Sequence, residues 1–261
     1  MKRSSGVRLC ATAAVSALSL ALITGCGNGD SKDSGATSDK DAAKPAAKTL
    51  SAAELKKLII TQGDVPGQKV GAVEGGVPDA SKVKADDAQC DPVLRAFTGI
   101  APGSPAANTS KMATENKKTP KPGTTSLEDG KFEDAINESM NLDVTVVTLA
   151  SYDGDGAEQG LKSVSDAVKA CAGGFSGEQD GEKGKFTKVS EEKSSGTGDA
   201  SVAFTAVNDA GKDGSLPLHA EVVRHGNTLA VYTTINIGAM MSKKAYTVSA
   251  PVVKAQAAKL K

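Results

Sequence analysis

Four cysteines, Cys10, Cys26, Cys90 and Cys171, carry the most reactive side chains in this 261-residue sequence. A thiol can be alkylated, oxidised to a disulfide or bound to a metal, and position decides among these fates. Cys10 and Cys26 lie within and just beyond an apolar run from about Leu9 to Ile23, which follows the basic residues Lys2, Arg3 and Arg8. That layout is a secretory signal peptide. Cys10 leaves with it. Outside the membrane the environment is oxidising, and Cys90 with Cys171 is then the only intramolecular disulfide available once Cys26 is otherwise engaged. Closing a loop of about 80 residues contributes roughly 4 kcal/mol in the chain-entropy picture. Free or metal-binding thiols are the alternative. No C-x-x-C pair suggests redox catalysis.

Cys26 ends the sequence Ile23-Thr24-Gly25-Cys26, which resembles the lipobox of bacterial lipoproteins. The resemblance implies cleavage between Gly25 and Cys26, a diacylglyceryl thioether on the cysteine and an acylated (palmitate-type) N-terminus. No cofactor is expected beyond this covalent lipid. The alternative is a soluble secreted protein with an incidental cysteine. The apolar run is shorter than the roughly 20 residues of a spanning helix and is broken by Thr12, Ser16, Ser19 and Thr24. Anchoring therefore falls to the lipid, at about 0.8 kcal/mol per buried CH₂, with two chains needed for stable attachment. The expected address is the extracytoplasmic face of the cell membrane.

The remaining chemistry is sparse. His219 and His225 are the two histidines, too few for a zinc site of three or four ligands. His225 falls at a turn, where solvation is the expectation. The sequence holds no G-x-S-x-G, H-E-x-x-H or G-x-x-x-x-G-K constellation. Asp153, Asp155 and Glu158 suggest a turn and helix cap first and a weak cation loop second. The adjacent pairs Asp86-Asp87 and Glu191-Glu192 point apart on a regular element and read as solvated surface. The expected sites are therefore lipidation at Cys26 and a disulfide at Cys90 and Cys171. No catalytic or metal residue is assigned, and the ligand site is unknown.

Charge excludes some partners. The chain has 31 basic and 31 acidic residues. Loss of three basic residues with the signal peptide leaves 28 against 31, or about −3. Nucleic acid is not an expected partner. Tryptophan is absent, so Phe97, Phe132, Phe175, Phe186, Phe204, Tyr152, Tyr232 and Tyr246 are the scarce large fillers of a Val, Leu, Ile and Ala core.

These residues need elements to position them. Three domains are read: a signal peptide over 1–25, a lipidated and disordered tether over 26–49, and a folded domain over 50–261. The tether has no large apolar residue until its end and cannot offset its ordering entropy. Ser51 and Glu54 form a capping box for a short helix. Asp91 and Pro92 suit a helix start, with Asp91 as N-cap. Residues 102–130 read as a long loop holding one weak strand near Lys111 to Asn116. Leu142 to Thr148 alternates as a strand. Asp155 caps a helix that buries Leu161, Val164, Val168 and Cys171 on one face and ends at Gly173-Gly174. Strands follow near Phe186 to Glu191 and Ala200 to Val207. Leu218 to Arg224 and Thr228 to Ile237 form a hairpin through Gly226-Asn227. A helix from about Ser249 to Leu260 closes the chain. The predicted fold is α+β, an antiparallel sheet packed on one face by helices, in a single disulfide-braced domain.

From about Leu142 to Leu260 the chain resembles the extracellular sensor domains of actinobacterial serine/threonine kinases and related stand-alone actinobacterial lipoproteins. The resemblance rests on Val168-Lys169-Ala170-Cys171, on Gly198-Asp199-Ala200 and on Val222-Val223-Arg224-His225-Gly226-Asn227-Thr228-Leu229. It implies a cleft structure with two disulfides. This sequence has cysteines for one.

The functional expectation is a non-enzymatic surface lipoprotein, a sensor-like domain binding an unknown small molecule, lipid or protein. The second expectation is a carrier of lipid or another apolar ligand at the envelope, with Leu218, Val222, Val231 and Ile235 lining an apolar cleft. A hydrolase assembled from scattered residues ranks third.

Overall fold

Strict alternation of side chains builds most of this molecule, because successive residues of a strand point to opposite faces. The computed structural model describes residues 48–116, 140–211 and 214–261. The signal segment, Cys26, most of the tether, Phe132 and the latter part of the 102–130 stretch lie outside the described residues.

The elements are α1 (Ala52–Leu58), β1 (Gln68–Gly71), β2 (Val83–Ala85), α2 (Asp91–Phe97), β3 (Ala107–Glu115), β4 (Val144–Ser151), α3 (Gly156–Ala170), β5 (Phe175–Gln179), β6 (Glu182–Glu192), β7 (Ala200–Asp209), β8 (Ser215–His225), β9 (Thr228–Ile235), α4 (Ile237–Met241) and α5 (Ala250–Lys259). Among the described residues the strands form one sheet of nine in the order β1-β3-β4-β9-β8-β7-β6-β5-β2. Every neighbouring pair is antiparallel. The α+β class and the antiparallel sheet agree with the sequence.

Helices lie on both faces, where the sequence reading had them on one. The reason is visible in β9, whose residues Thr228 to Thr234 are all buried. Leu229 and Val231 join a core under α2 and α3, with Val93, Phe97, Val164 and Phe204. Ala230 and Tyr232 join a second core under α1 and α5, with Leu55, Ile59 and Val253. A strand that is apolar at both phases needs cover on both sides.

The first face carries the aromatic core and the disulfide. Phe97 meets Phe204 edge-on at 4.9 Å and Phe175 stacks on Phe186 at 4.7 Å. Cys90 and Cys171 are bridged, with Cα atoms 6.0 Å apart. Cys171 ends α3 and Cys90 precedes α2, so the bridge ties these two helices together. Just beyond, Gly174 has φ +92°, and a Cβ there would lie 2.3 Å from the Phe186 carbonyl oxygen. Only glycine fits that stop.

The second face is locked by Gln256, which is fully buried. Its Oε1 accepts from the Ile60 amide at 2.9 Å and its Nε2 donates to the Leu58 carbonyl at 2.9 Å. That side chain satisfies backbone groups at the end of α1 from α5.

The Ser51/Glu54 capping box is complete. Asp155 occupies the N-cap of α3, but its carboxylate accepts from Gln159 at 2.7 Å instead of capping. Cys90 takes the N-cap of α2, and Asp91 instead accepts from the Ala85 amide at 2.6 Å. The weak strand expected at 111–116 is the nine-residue β3, paired along β4. Its Asn, Thr, Ser and Lys side chains hide the pattern, and pairing on both edges makes it a strand. The short strands β1, β2 and β5 and the helix α4 were not foreseen.

Candidate binding cleft

Register places two rows of side chains on the second face, at the margin of the core that α1 and α5 cover. One row runs Glu192, Ala203, Glu221, Tyr232 across β6, β7, β8 and β9. The neighbouring row runs Ser190, Thr205, His219, Thr234. The β6–β7 loop and the chain entering α5 rise beside the first row. Together they enclose a cleft of about 430 Å³. Its polar lining is Glu192, Glu221, Lys193, Ser195 and Thr247, and its apolar lining is Ala203, Val248, Ala250 and Val253.

Glu221 is the unusual member, only 3% exposed. Its Oε1 accepts from the Ser195 amide at 2.8 Å and from the Ser195 hydroxyl at 2.7 Å. No Lys, Arg or His pairs with it among the described residues. Beside it, the hydroxyl of the fully buried Tyr232 has no hydrogen-bond partner. Burial, and then the Glu221 charge, push the Tyr232 phenol well above its ordinary range.

Glu192 is stabilised differently. It accepts from the His219 Nδ1–H at 3.0 Å, since a carboxylate can only accept. Thr205 also lies 3.0 Å from that nitrogen. Burial raises the Glu192 pKa, but hydrogen bonds from His219 and Thr205 outweigh it and hold the group below the usual carboxylate range. Tyr246 packs edge-on against His219 at 4.4 Å and donates its hydroxyl to the Pro217 carbonyl. Burial pushes the Tyr246 phenol up to about 12.

The chemistry on offer is hydrogen-bond acceptance and charge. Among the described residues no group of three His, Cys, Asp or Glu side chains could hold a metal. Asp153 accepts from Thr49 at 2.8 Å and Asp155 from Gln159, so this loop serves as turn and helix start. His225 is half-buried, not solvated as expected, and its Nε2 has no partner. Burial lowers its pKa, opposed by the nearby Asp199 charge. Glu192 likewise departs from the solvated reading given to its pair, while Glu191, Asp86 and Asp87 are exposed.

Four residues considered for an apolar cleft do not form one. Val222 and Val231 are fully buried in the core under α2 and α3, Leu218 packs on its edge, and Ile235 is exposed at the strand end. From the sequence, Glu221 has no assigned role and Tyr232 is a core filler, which it is here. The available signal was a lone Glu within the apolar stretch Leu218 to Val223, since a charge at such a position is buried.

Other hollows are less enclosed by buried polar groups. Two depressions of about 550 and 440 Å³ follow β5 and β6, where Asp86, Lys183, Glu178 and Asp209 are exposed. A hollow of about 170 Å³ lies between Lys48, His225 and Lys259. There Lys48 pairs with Glu54 at 2.7 Å and Lys259 with Asp64 at 2.6 Å.

The class these features define is a disulfide-braced antiparallel α+β domain with a cleft on its less covered face. No known protein family matches the chain, and no curated protein does. It is similar in structure to the extracellular domain of PknH from Mycobacterium tuberculosis, with 11% identity, 82% of this chain and 95% of that one covered, and a TM-score of 0.47. It is also similar to an uncharacterized protein from Mycobacterium smegmatis, with 15% identity, coverage of 83% and 98%, and a TM-score of 0.32. With TM-scores below 0.5, neither likeness carries an argument about ligand or chemistry.

Proposed function

We propose that this protein is a membrane-anchored extracytoplasmic lipoprotein whose folded domain is a non-enzymatic binding module. The observation that carries the binding reading is the cleft of about 430 Å³ beside a buried Glu221 that no cation pairs among the described residues. A cavity of this size with few convergent polar groups suits a small ligand. The address rests on Ile23-Thr24-Gly25-Cys26 and gains support from the Cys90–Cys171 bridge, which persists in oxidising compartments. Among the described residues no helix is long and apolar enough to cross a membrane.

Fractionation tests the address. Wild-type protein should sediment with membranes and partition into detergent, while Cys26→Ser should appear in the soluble fraction. Equal membrane association of the two proteins would overturn the lipid anchor. The binding module is tested separately by incubating the purified protein with candidate metabolite mixtures and reading ligand-dependent change in its melting temperature. Selective stabilisation supports the reading.

A further inference from the structure

Buried carboxylates in proteins are nearly always compensated by a cation or a metal. Glu221 has neither among the described residues. Its two hydrogen bonds come from one neutral residue, Ser195, and both fall on the same oxygen, Oε1. Glu221 lines the cleft, and among the described residues its second oxygen accepts no hydrogen bond. Lys193 also lines the cleft but forms no ion pair with it, and Glu192 is engaged by His219.

Next to Glu221 in the sheet stands a second unusual polar group. The Tyr232 hydroxyl is buried and unpartnered. Tyr232 is the register partner of Glu221 on the same face. It also shares a core with Val253, which lines the cleft. A buried hydroxyl without a partner costs about 1–3 kcal/mol, and Tyr232 stands behind the residues that line the cleft.

We infer that this cleft binds a small primary amine in its ammonium form, with the charge against Glu221 and an apolar body along Ala203, Val248 and Val253. The inference rests on the binding reading above and names its ligand class. An ammonium carries three donors, which suits a carboxylate oxygen that accepts no other hydrogen bond. The walls offer no aromatic ring among the lining residues, so the aromatic cage that holds quaternary ammonium groups is missing. The ligand must therefore bring N–H donors.

The test is a titration of the full mature chain carrying Cys26→Ser, which needs no detergent, read by amide and tyrosine-ring chemical shifts. Four probes share one body: pentylammonium, pentanol, pentanoate and trimethylpentylammonium. Saturable shifts at Ala203, Glu221, Tyr232 and Val253 are expected with pentylammonium, and affinities at least about tenfold weaker with the other three. Glu221→Gln keeps the Ser195 hydrogen bonds and should weaken pentylammonium about thirtyfold. The wild-type probe series decides the matter even if that variant folds poorly. Equal binding of pentanol, or preference for pentanoate, would overturn the cation class and leave a binding cleft standing. Preference for the trimethyl probe would overturn the need for N–H donors. Absence of cleft shifts with all four would overturn both the ligand class and this cleft as the site.

Discussion

Glu221 on β8 and Tyr232 on β9 are register partners on one face of the sheet, and the tyrosine hydroxyl beside the carboxylate is buried without a hydrogen bond. A sheet interior tolerates such a group only at a cost in stability. Tyr232→Phe removes the orphan and keeps the ring. It should leave stability unchanged or raise it by up to about 1 kcal/mol in urea unfolding. A loss of stability above about 1 kcal/mol would show that the hydroxyl is satisfied in the folded protein.

The disulfide is the largest single brace. Cys90 and Cys171 are 81 residues apart in sequence and both are buried at the seam of α2 and α3. Replacing both by Ala should cost about 4 kcal/mol, chiefly by freeing the unfolded chain. Unfolding midpoints of the oxidised protein and the double variant measure this.

Gly174 sits where any side chain meets backbone. A Cβ would lie 2.3 Å from the Phe186 oxygen, and the residue's φ is +92°. Gly174→Ala should destabilise by roughly 2 kcal/mol or more. Gly173, where a Cβ meets nothing within 4 Å, is the control, and Gly173→Ala should be near neutral.

Acid should destabilise the fold in two steps. The His225 pKa lies below its ordinary 6.5 because burial disfavours the charged ring. Its contribution is therefore present above pH 6.5 and is lost as pH falls toward the folded value. Glu54 is held at about 2 by hydrogen bonds from Lys48 and from the Ser51 amide and hydroxyl, against an ordinary 4.5. Asp64, bonded by Lys259, and Glu192 are also lowered. These contributions are present above about pH 4.5 and are lost as pH falls toward 2. Denaturant midpoints should drop modestly from pH 7 to 5 and more steeply from pH 4.5 to 2.5. A midpoint that rises on acidification would contradict these assignments.

What the sequence revealed divides along the range of each interaction. The Ser51/Glu54 box and the Gly226-Asn227 hairpin are local, and local residue types determine them. The strands β1, β2 and β5 have only three to five residues, and pairing with distant strands creates them. Val222 and Val231 alternate correctly, but period two does not say which face receives the helices. That is why an apolar cleft was expected where a packed core exists. The cleft itself depends on the register of Glu192, Ala203, Glu221 and Tyr232 over four strands, together with the approach to α5. Only the isolated Glu within Leu218 to Val223 hinted at it.

The central claim is a tethered domain that holds a small cation against Glu221, and native mass spectrometry of the protein purified from its own host's membranes tests it most directly. The account predicts a chain beginning at Cys26 with covalent lipid, carrying a small amine adduct that disappears in Glu221→Gln. A chain without lipid on Cys26, or a cleft that is empty or keeps its adduct unchanged in that variant, would contradict it.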